Sequence, residues 1–452
     1  MKNTSLDSLI IKSEEQRTIV YRGAQSNKSF FFKKDGESIC MSEKAYELKK
    51  LSLRNDALPY YMATMSYGAG EDFTTGETVF DGVLKAAPGR VTYIYNDGAV
   101  KSEPISLNKV NDYTHLTPKK ISVILKDVLI ETARSVIRGD TDIWLEASGG
   151  IDSTLMGSIA KIVKPNITIN TISLLYPYYE FRREKRFIDS AINFLGGNPL
   201  YLDGSKSLSF DSIGSSYLFS EPNLLMAGIA QQKMILESVS MKNGLLLNGN
   251  GGDRLFSLGP FFEQGVVLKE YKHKWMDDFF FERLQFSRNE IRKFNKFSSG
   301  ENFISGVSID DRWTEREFAP YFDVRRTHFF LDNEVTSIIH ALWSVEKEAG
   351  DGKWILKKYL PELFPYDIIS RPKKVAYNAL YVRSYKKNLN KILALIDEFN
   401  EELRGYGVNP KLLSEHVVNI SNGKLDGDLE VSSVITFLMW LKPLLARNII
   451  AN

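Results

Sequence analysis

Between Thr18 and about Ser106 the apolar positions come in short runs broken by turn residues: Arg17–Arg22, Ser29–Lys33 and Val91–Tyr95, the last closed by Asn96-Asp97-Gly98. That spacing predicts a mostly β region over 1–110. A polar hinge at Leu107–Leu116 follows, and then the period changes. Thr117-Pro118 supplies an N-cap followed by proline at the first helical position, and Ile121, Ile124, Leu125, Val128, Leu129, Thr132 and Val136 recur at helical spacing. From there β-type and helical patterns alternate. The apolar run at Trp144 feeds a small-residue loop and an amphipathic start, and Ile167–Leu175 is β-branched. A helix carrying Phe187, Ile188, Ala191, Ile192 and Leu195 stops at Gly196-Gly197, and Pro199–Leu202 is again strand-like. A helix over Met226–Val239 precedes the run Gly244–Asn248. Alternation of this kind predicts an α/β fold over 117–452, a doubly wound parallel sheet with helical additions and with ligands at the strand C-termini.

Length and composition narrow the class. At 452 residues there is ample material for two or three cores, and 43% hydrophobic with 25% charged residues is ordinary for a globular chain. A net charge of +2 gives no overall reason to expect nucleic-acid binding. The single cysteine, Cys40, rules out an intramolecular disulfide and fits a reducing, cytoplasmic setting. The N-terminus lacks a long apolar run, and Val434–Leu441, broken by Lys442-Pro443, falls short of the ~20 residues a bilayer span needs, so no membrane is expected and this run reads as a core helix. The five histidines are scattered, without zinc-ligand spacing. Tyr271–Phe303 interleaves aromatic and basic residues; an amphipathic helix with its aromatics in the core explains that better than single-stranded nucleic-acid binding.

The candidate chemistry sits in two glycine loops. Ser148-Gly149-Gly150-Ile151-Asp152-Ser153-Thr154 follows a strand and opens a helix, so backbone N–H groups and hydroxyls can converge on an anion. It matches neither the Walker loop nor the dinucleotide fingerprint. Asp152 would repel bare phosphate and is suited to hold Mg2+ on a nucleotide triphosphate. Gly249-Asn250-Gly251-Gly252-Asp253 repeats the theme at another strand end, and Asp152 with Asp253 can share one or two Mg2+ ions.

Ser-Gly-Gly-x-Asp-Ser resembles the pyrophosphate loop of the ATP pyrophosphatases, which activate a carboxylate as an acyl-adenylate. Further segments resemble the asparagine-synthetase-like superfamily in order along residues 60–445: Phe80–Arg90 at the end of a glutaminase-type domain, Phe322–Asp332 in place of a segment ending Pro-Phe-Leu-Asp, Lys353–Lys357, and Arg371-Pro372-Lys373. The resemblance implies ATP and Mg2+ as cofactors, Ser148, Gly149, Gly150 and Ser153 around pyrophosphate with Lys353 assisting, Leu174, Gly249 and Asn250 near the nucleotide, and Lys373 on the adenylate and the tetrahedral oxyanion. It also implies a glutaminase-like (Ntn-type) N-terminal domain. That domain would be degenerate, because its family uses an N-terminal cysteine and position 2 here is Lys2. In β-lactam synthetases a tyrosine three residues before the second acid works with a glutamate as base; the corresponding residues here are Asn250 and Arg325. A peptide α-amine, with a reference pKa of ~7.7–8.0, needs a base least. The pattern therefore resembles the lasso peptide cyclases, which implies a precursor peptide as substrate and a leader-removing protease as partner. A small-molecule β-lactam or carbapenam-type synthetase and a glutaminase-deficient amide ligase are the alternatives, and a non-catalytic ATP-sensing or scaffold protein is the reading from another class.

Overall fold

Leu245–Leu247 is three consecutive leucines, each fully buried, and a strand apolar on both faces has to be covered on both sides. The computed structural model describes residues 9–23, 26, 28–66, 76–105, 113–137, 139, 142–178, 181–239, 244–252, 256, 271–298, 313–330, 333–345, 353–371 and 378–450. Its N-terminal part holds β1 (Leu9–Ser13), β2 (Arg17–Arg22), β3 (Phe31–Asp35), β4 (Ser38–Ser42), α1 (Ala57–Ser66), β5 (Val83–Lys85), β6 (Arg90–Tyr95) and β7 (Val100–Pro104). These strands form two antiparallel sheets, ordered β1-β2-β6-β7 and β4-β3-β5. Val20 and Ile94 of the first meet Phe30, Phe32 and Ala86 at the second in a small shared core. The Asn96-Asp97-Gly98 turn joins β6 to β7, with Gly98 at φ +88°.

After the capped α2 (Pro118–Val136), where the Thr117 hydroxyl accepts from Lys120 N, come β8 (Ile143–Glu146), α3 (Ile151–Val163), β9 (Ile169–Leu175), α4 (Glu184–Leu195), β10 (Asn198–Asp203), α5 (Ile229–Ser238), β11 (Leu245–Leu247), α6 (Asp278–Ser298) and β12 (Arg325–Thr327). The five strands pair in parallel in the order β10-β9-β8-β11-β12. The order reverses between β8 and β11, and the crevice at such a switch point is where open α/β sheets bind ligands.

Alternation along the strands splits the sheet between two cores. Ile143, Leu145, Ile169, Leu245 and Leu247 face one, packed with α2, α3 and α7 (Asn333–Val345). Trp144, Ile172, Leu174 and Leu246 face the other, built mainly by the C-terminal helices. α8 (Trp354–Tyr359) and α9 (Tyr366–Ile369) belong to the first core, and the helices of the second are α10 (Asn378–Glu398), α11 (Asn400–Gly405), α12 (Pro410–Ser421) and α13 (Asp428–Ala446), of which α10, α12 and α13 pack on one another. The second core continues without interruption into the N-terminal part through α1, which packs on α6 and α13; the Tyr61 hydroxyl meets Thr436 Oγ1 at 2.9 Å.

Two expectations need correction here. The apolar run at Val434 does not stop at Lys442-Pro443: α13 runs through Pro443 to Ala446, giving 19 residues of mean hydropathy 1.5, long and apolar enough to cross a bilayer. Nearly three-quarters of that stretch is buried in the protein, and this packing holds the helix together across the missing proline N–H. In α6 the aromatics divide. Phe280 is buried, while Phe279 and Phe286 are exposed, with Arg283 lying over the Phe279 ring.

Candidate functional site

The first loop is built by β8 handing over to α3. Gly149 sits at φ +65°, and a Cβ there would lie 2.6 Å from Ile188 N and 2.8 Å from the Phe187 carbonyl carbon, so only glycine fits on both counts. Gly150 caps the helix with extended backbone. The Ser153 hydroxyl accepts from Ser148 N at 3.3 Å and meets the Ser148 hydroxyl at 3.1 Å, while Thr154 Oγ1 donates to Gly150 O at 2.7 Å. The turn is thus tied to the first helical turn before any ligand arrives, and an anion at the start of α3 would meet a formed cradle.

The second loop lies directly against the first. A Cβ on Gly249 would lie 2.7 Å from Ser153 N, and one on Gly252 would lie 2.5 Å from Asp152 Cγ. These glycines let the two loops touch. Asn248, ending β11, organises the loop from beneath: its Oδ1 accepts from Asn250 N at 2.9 Å, and its Nδ2 donates to Glu315 Oε1 at 3.2 Å. His328, past the end of β12, has its Nε2 3.7 Å from the same Glu315 oxygen, and both side chains are buried.

Two basic residues reach the first loop from the C-terminal part. Lys353, at the N-terminus of α8, donates to Asp152 Oδ2. Arg371 donates from Nη1 to Gly149 O at 2.7 Å, pairs with Glu184 and lies over the Phe187 ring at 4.3 Å. It fastens the end of the segment after α9 onto the first loop. Sequence reasoning quoted Arg371 only as part of a motif; the signal was there, since a buried cation beside a glycine turn has few carbonyls to choose from.

A cleft of about 830 Å³ opens over the strand C-termini, within the ~300–1,000 Å³ typical of ligand sites. Ser148, Asp152, Ser153, Leu174, Gly249 and Asn250 line it, Gly149 and Gly150 form the turn beneath, and Lys353 stands on Asp152. Asp253 and Lys373 lie outside the described residues. Arg325 is placed elsewhere. It opens β12 in register with Leu245, is exposed, and donates to Val136 O, at the opposite end of the sheet from the loops. The residue expected in the base-glutamate position therefore does not reach the cleft.

Tyrosine does not fill that role either. Burial pushes the Tyr381 hydroxyl up to about 12 despite its hydrogen bond with Ser432, and burial together with the Asp189 hydrogen bond does the same for Tyr201. These two cleft tyrosines stay protonated near neutral pH. Among the described residues no group of three or more His, Cys, Asp or Glu could enclose a metal ion. Mg2+ on a triphosphate needs only one or two carboxylates besides phosphate and water oxygens, and Asp152 on the loop fits that requirement.

No family model matches the chain, and no curated protein does. Among solved structures the chain is similar to one described as NMN synthetase from Francisella tularensis, at 14% identity over 57% of this chain and 98% of that one, with a TM-score of 0.24. A superposition that loose does not bear on the site.

Proposed function

We propose that this chain is an ATP-dependent ligase that activates a carboxylate as its adenylate and passes the acyl group to an amine, forming an amide. The observation that carries the reading is the contact of the two glycine loops around Asp152 at the sheet's switch point, with Lys353 on the same carboxylate. In this reading the helix start at Ser148–Ser153 holds the phosphates, and Asp152, with Asp253, holds Mg2+, which would neutralise charge on the triphosphate. A substrate carboxylate oxygen attacks the α-phosphorus and the bond to pyrophosphate breaks. The amine nitrogen then attacks the acyl carbon, AMP leaves with its oxygen, and the amine loses a proton. Lys373 is assigned to the developing oxyanion.

Within that class the resemblance to the asparagine-synthetase-like superfamily favours a lasso peptide cyclase. It would join an Asp or Glu side chain of a processed precursor peptide to the peptide's own N-terminal amine, with a leader-removing protease as partner. Tyr201 and Tyr381 stay protonated and Arg325 is remote, which suits an amine that needs little help to deprotonate. Pyrophosphate release is the test, measured with synthetic linear peptides that each carry a free α-amine and one Asp or Glu stepped along the chain. Release with ring closure for one spacing is expected. Lys373→Ala should still bind Mg-ATP while ring formation collapses, and ring formation at the wild-type rate in that variant would remove Lys373 from the chemistry.

A further inference from the structure

The floor of the cleft carries a charge pair that phosphate binding does not use. β8 is apolar through Ile143 and Leu145, both fully buried, yet its last residue is Glu146, two positions before Ser148. The alternation of the strand puts Glu146 on the same face as Trp144. On that face Arg326 reaches across from β12, two strands away, with Nε 2.8 Å from Glu146 Oε1 and Nη2 donating to Oε2 at 3.1 Å. The guanidinium is 1% exposed and the carboxylate 19%, and Glu146 lines the cleft.

A buried pair of this kind gains nothing over two well-packed apolar residues. Placed where a triphosphate would lie, an unpaired Glu146 would also repel the nucleotide. Arg326 cancels that charge from behind. One hydrogen bond leaves most of the carboxylate's acceptor sites open, and Glu146 lines the cleft beside the first loop. The other acids that line the cleft are already engaged: Asp152 by Lys353, Glu184 by Arg371, and Asp203 by the backbone N–H and hydroxyl of Ser205. We infer that Glu146, held by Arg326, is the docking site for the amine of the acceptor substrate, a primary amine that arrives partly as its ammonium form. A carboxylate paired with an arginine is a hydrogen-bond acceptor for that amine, and the proton leaves to solvent. This assignment rests on the ligase reading.

The test uses the full chain, the same peptide series with the α-amine acetylated, and two external acceptors. Glycinamide carries an amine like a peptide N-terminus, and hydroxylamine is uncharged near neutral pH. Glu146→Gln should lower kcat/KM for glycinamide about ten- to a hundred-fold, mostly through KM, while hydroxylamine loses far less. Equal losses for both acceptors, or none for either, overturn the assignment. Mg-ATP affinity supplies a second measurement independent of any acyl substrate. Arg326→Met should weaken it about tenfold by leaving Glu146 uncompensated, and Glu146→Gln with Arg326→Met should restore it; wild-type affinity in the single variant overturns the proposal. If that cycle behaves as stated but no peptide yields pyrophosphate with the wild-type chain, the ligase reading fails and the amine role falls with it, while the neutralising role of Arg326 stands.

Discussion

The molecule buries two lysine–carboxylate pairs in opposite ways. Lys85, ending β5, meets Glu221 at 2.6 Å, and their side chains are 1% and 4% exposed. Lys353 meets Asp152 at the lip of the cleft, where the side chains are 14% and 13% exposed. The first pair joins the N-terminal sheets to the segment between β10 and α5, sealed on every side. The second pair stands beside two glycine loops and a cavity. A sealed pair can only hold the chain together, because no ligand reaches it. A pair that opens to a cleft can exchange its partner for a ligand, and its lysine can move from carboxylate to phosphate without leaving the site.

That contrast is easiest to break with one substitution on each side. Lys85→Met leaves Glu221 buried opposite an apolar side chain. The loss of one partner of a sealed pair costs about 3–5 kcal/mol, so denaturant midpoints should drop sharply while pyrophosphate release per folded molecule stays unchanged. Asp152→Asn should do the reverse. Its carboxylate is needed for charge placed on the nucleotide, so pyrophosphate release should fall about 10²–10³-fold, with a change in stability of less than about 1 kcal/mol. If Asp152→Asn unfolds the protein, or if Lys85→Met abolishes turnover in folded protein, the distinction between joint and site is wrong.

Much of the fold is legible in the sequence because each element carries its own period. β2 matches its run residue for residue, the Thr117 cap is where the sequence puts it, and α4 ends at Gly196, which adopts the left-handed conformation at φ +59°. The glycine loops are legible for the same reason, since tight turns need glycine locally. What the sequence hides is register between distant strands. Arg325 and Arg326 are neighbours in sequence, and the motif spacing pointed to Arg325; the pairing of β12 with β11 instead leaves Arg325 at the far edge and brings Arg326 across to Glu146. Nothing in a four-residue strand announces which residue two strands away will face it. The Glu315, His328 and Asn248 group was missed likewise, because its three members come from separate segments that only the closed sheet assembles.

A third pair lies between the two extremes and gives the smallest effect. Glu430, on α13, stands 3.8 Å from His273 with a side chain 13% exposed, and it is not among the residues that line the cleft. Burial pushes its carboxyl up, but the hydrogen bond from His273 and the charges of His273 and Arg288 outweigh it, so the group sits below the usual glutamate range. A carboxyl whose pKa is lowered on folding contributes stability that is present above the unfolded value, ~4.3, and is lost as pH falls through the folded value. Glu430→Gln should therefore lower stability at neutral pH by less than about 1 kcal/mol. The gap to wild type should close as both are acidified below pH ~4. Because neither member of this pair lines the cleft, the pH profile of pyrophosphate release should be the same in both proteins. A shifted activity profile in Glu430→Gln would mean that α13 communicates with the loops, and that the division between holding the chain together and serving the site does not follow exposure alone.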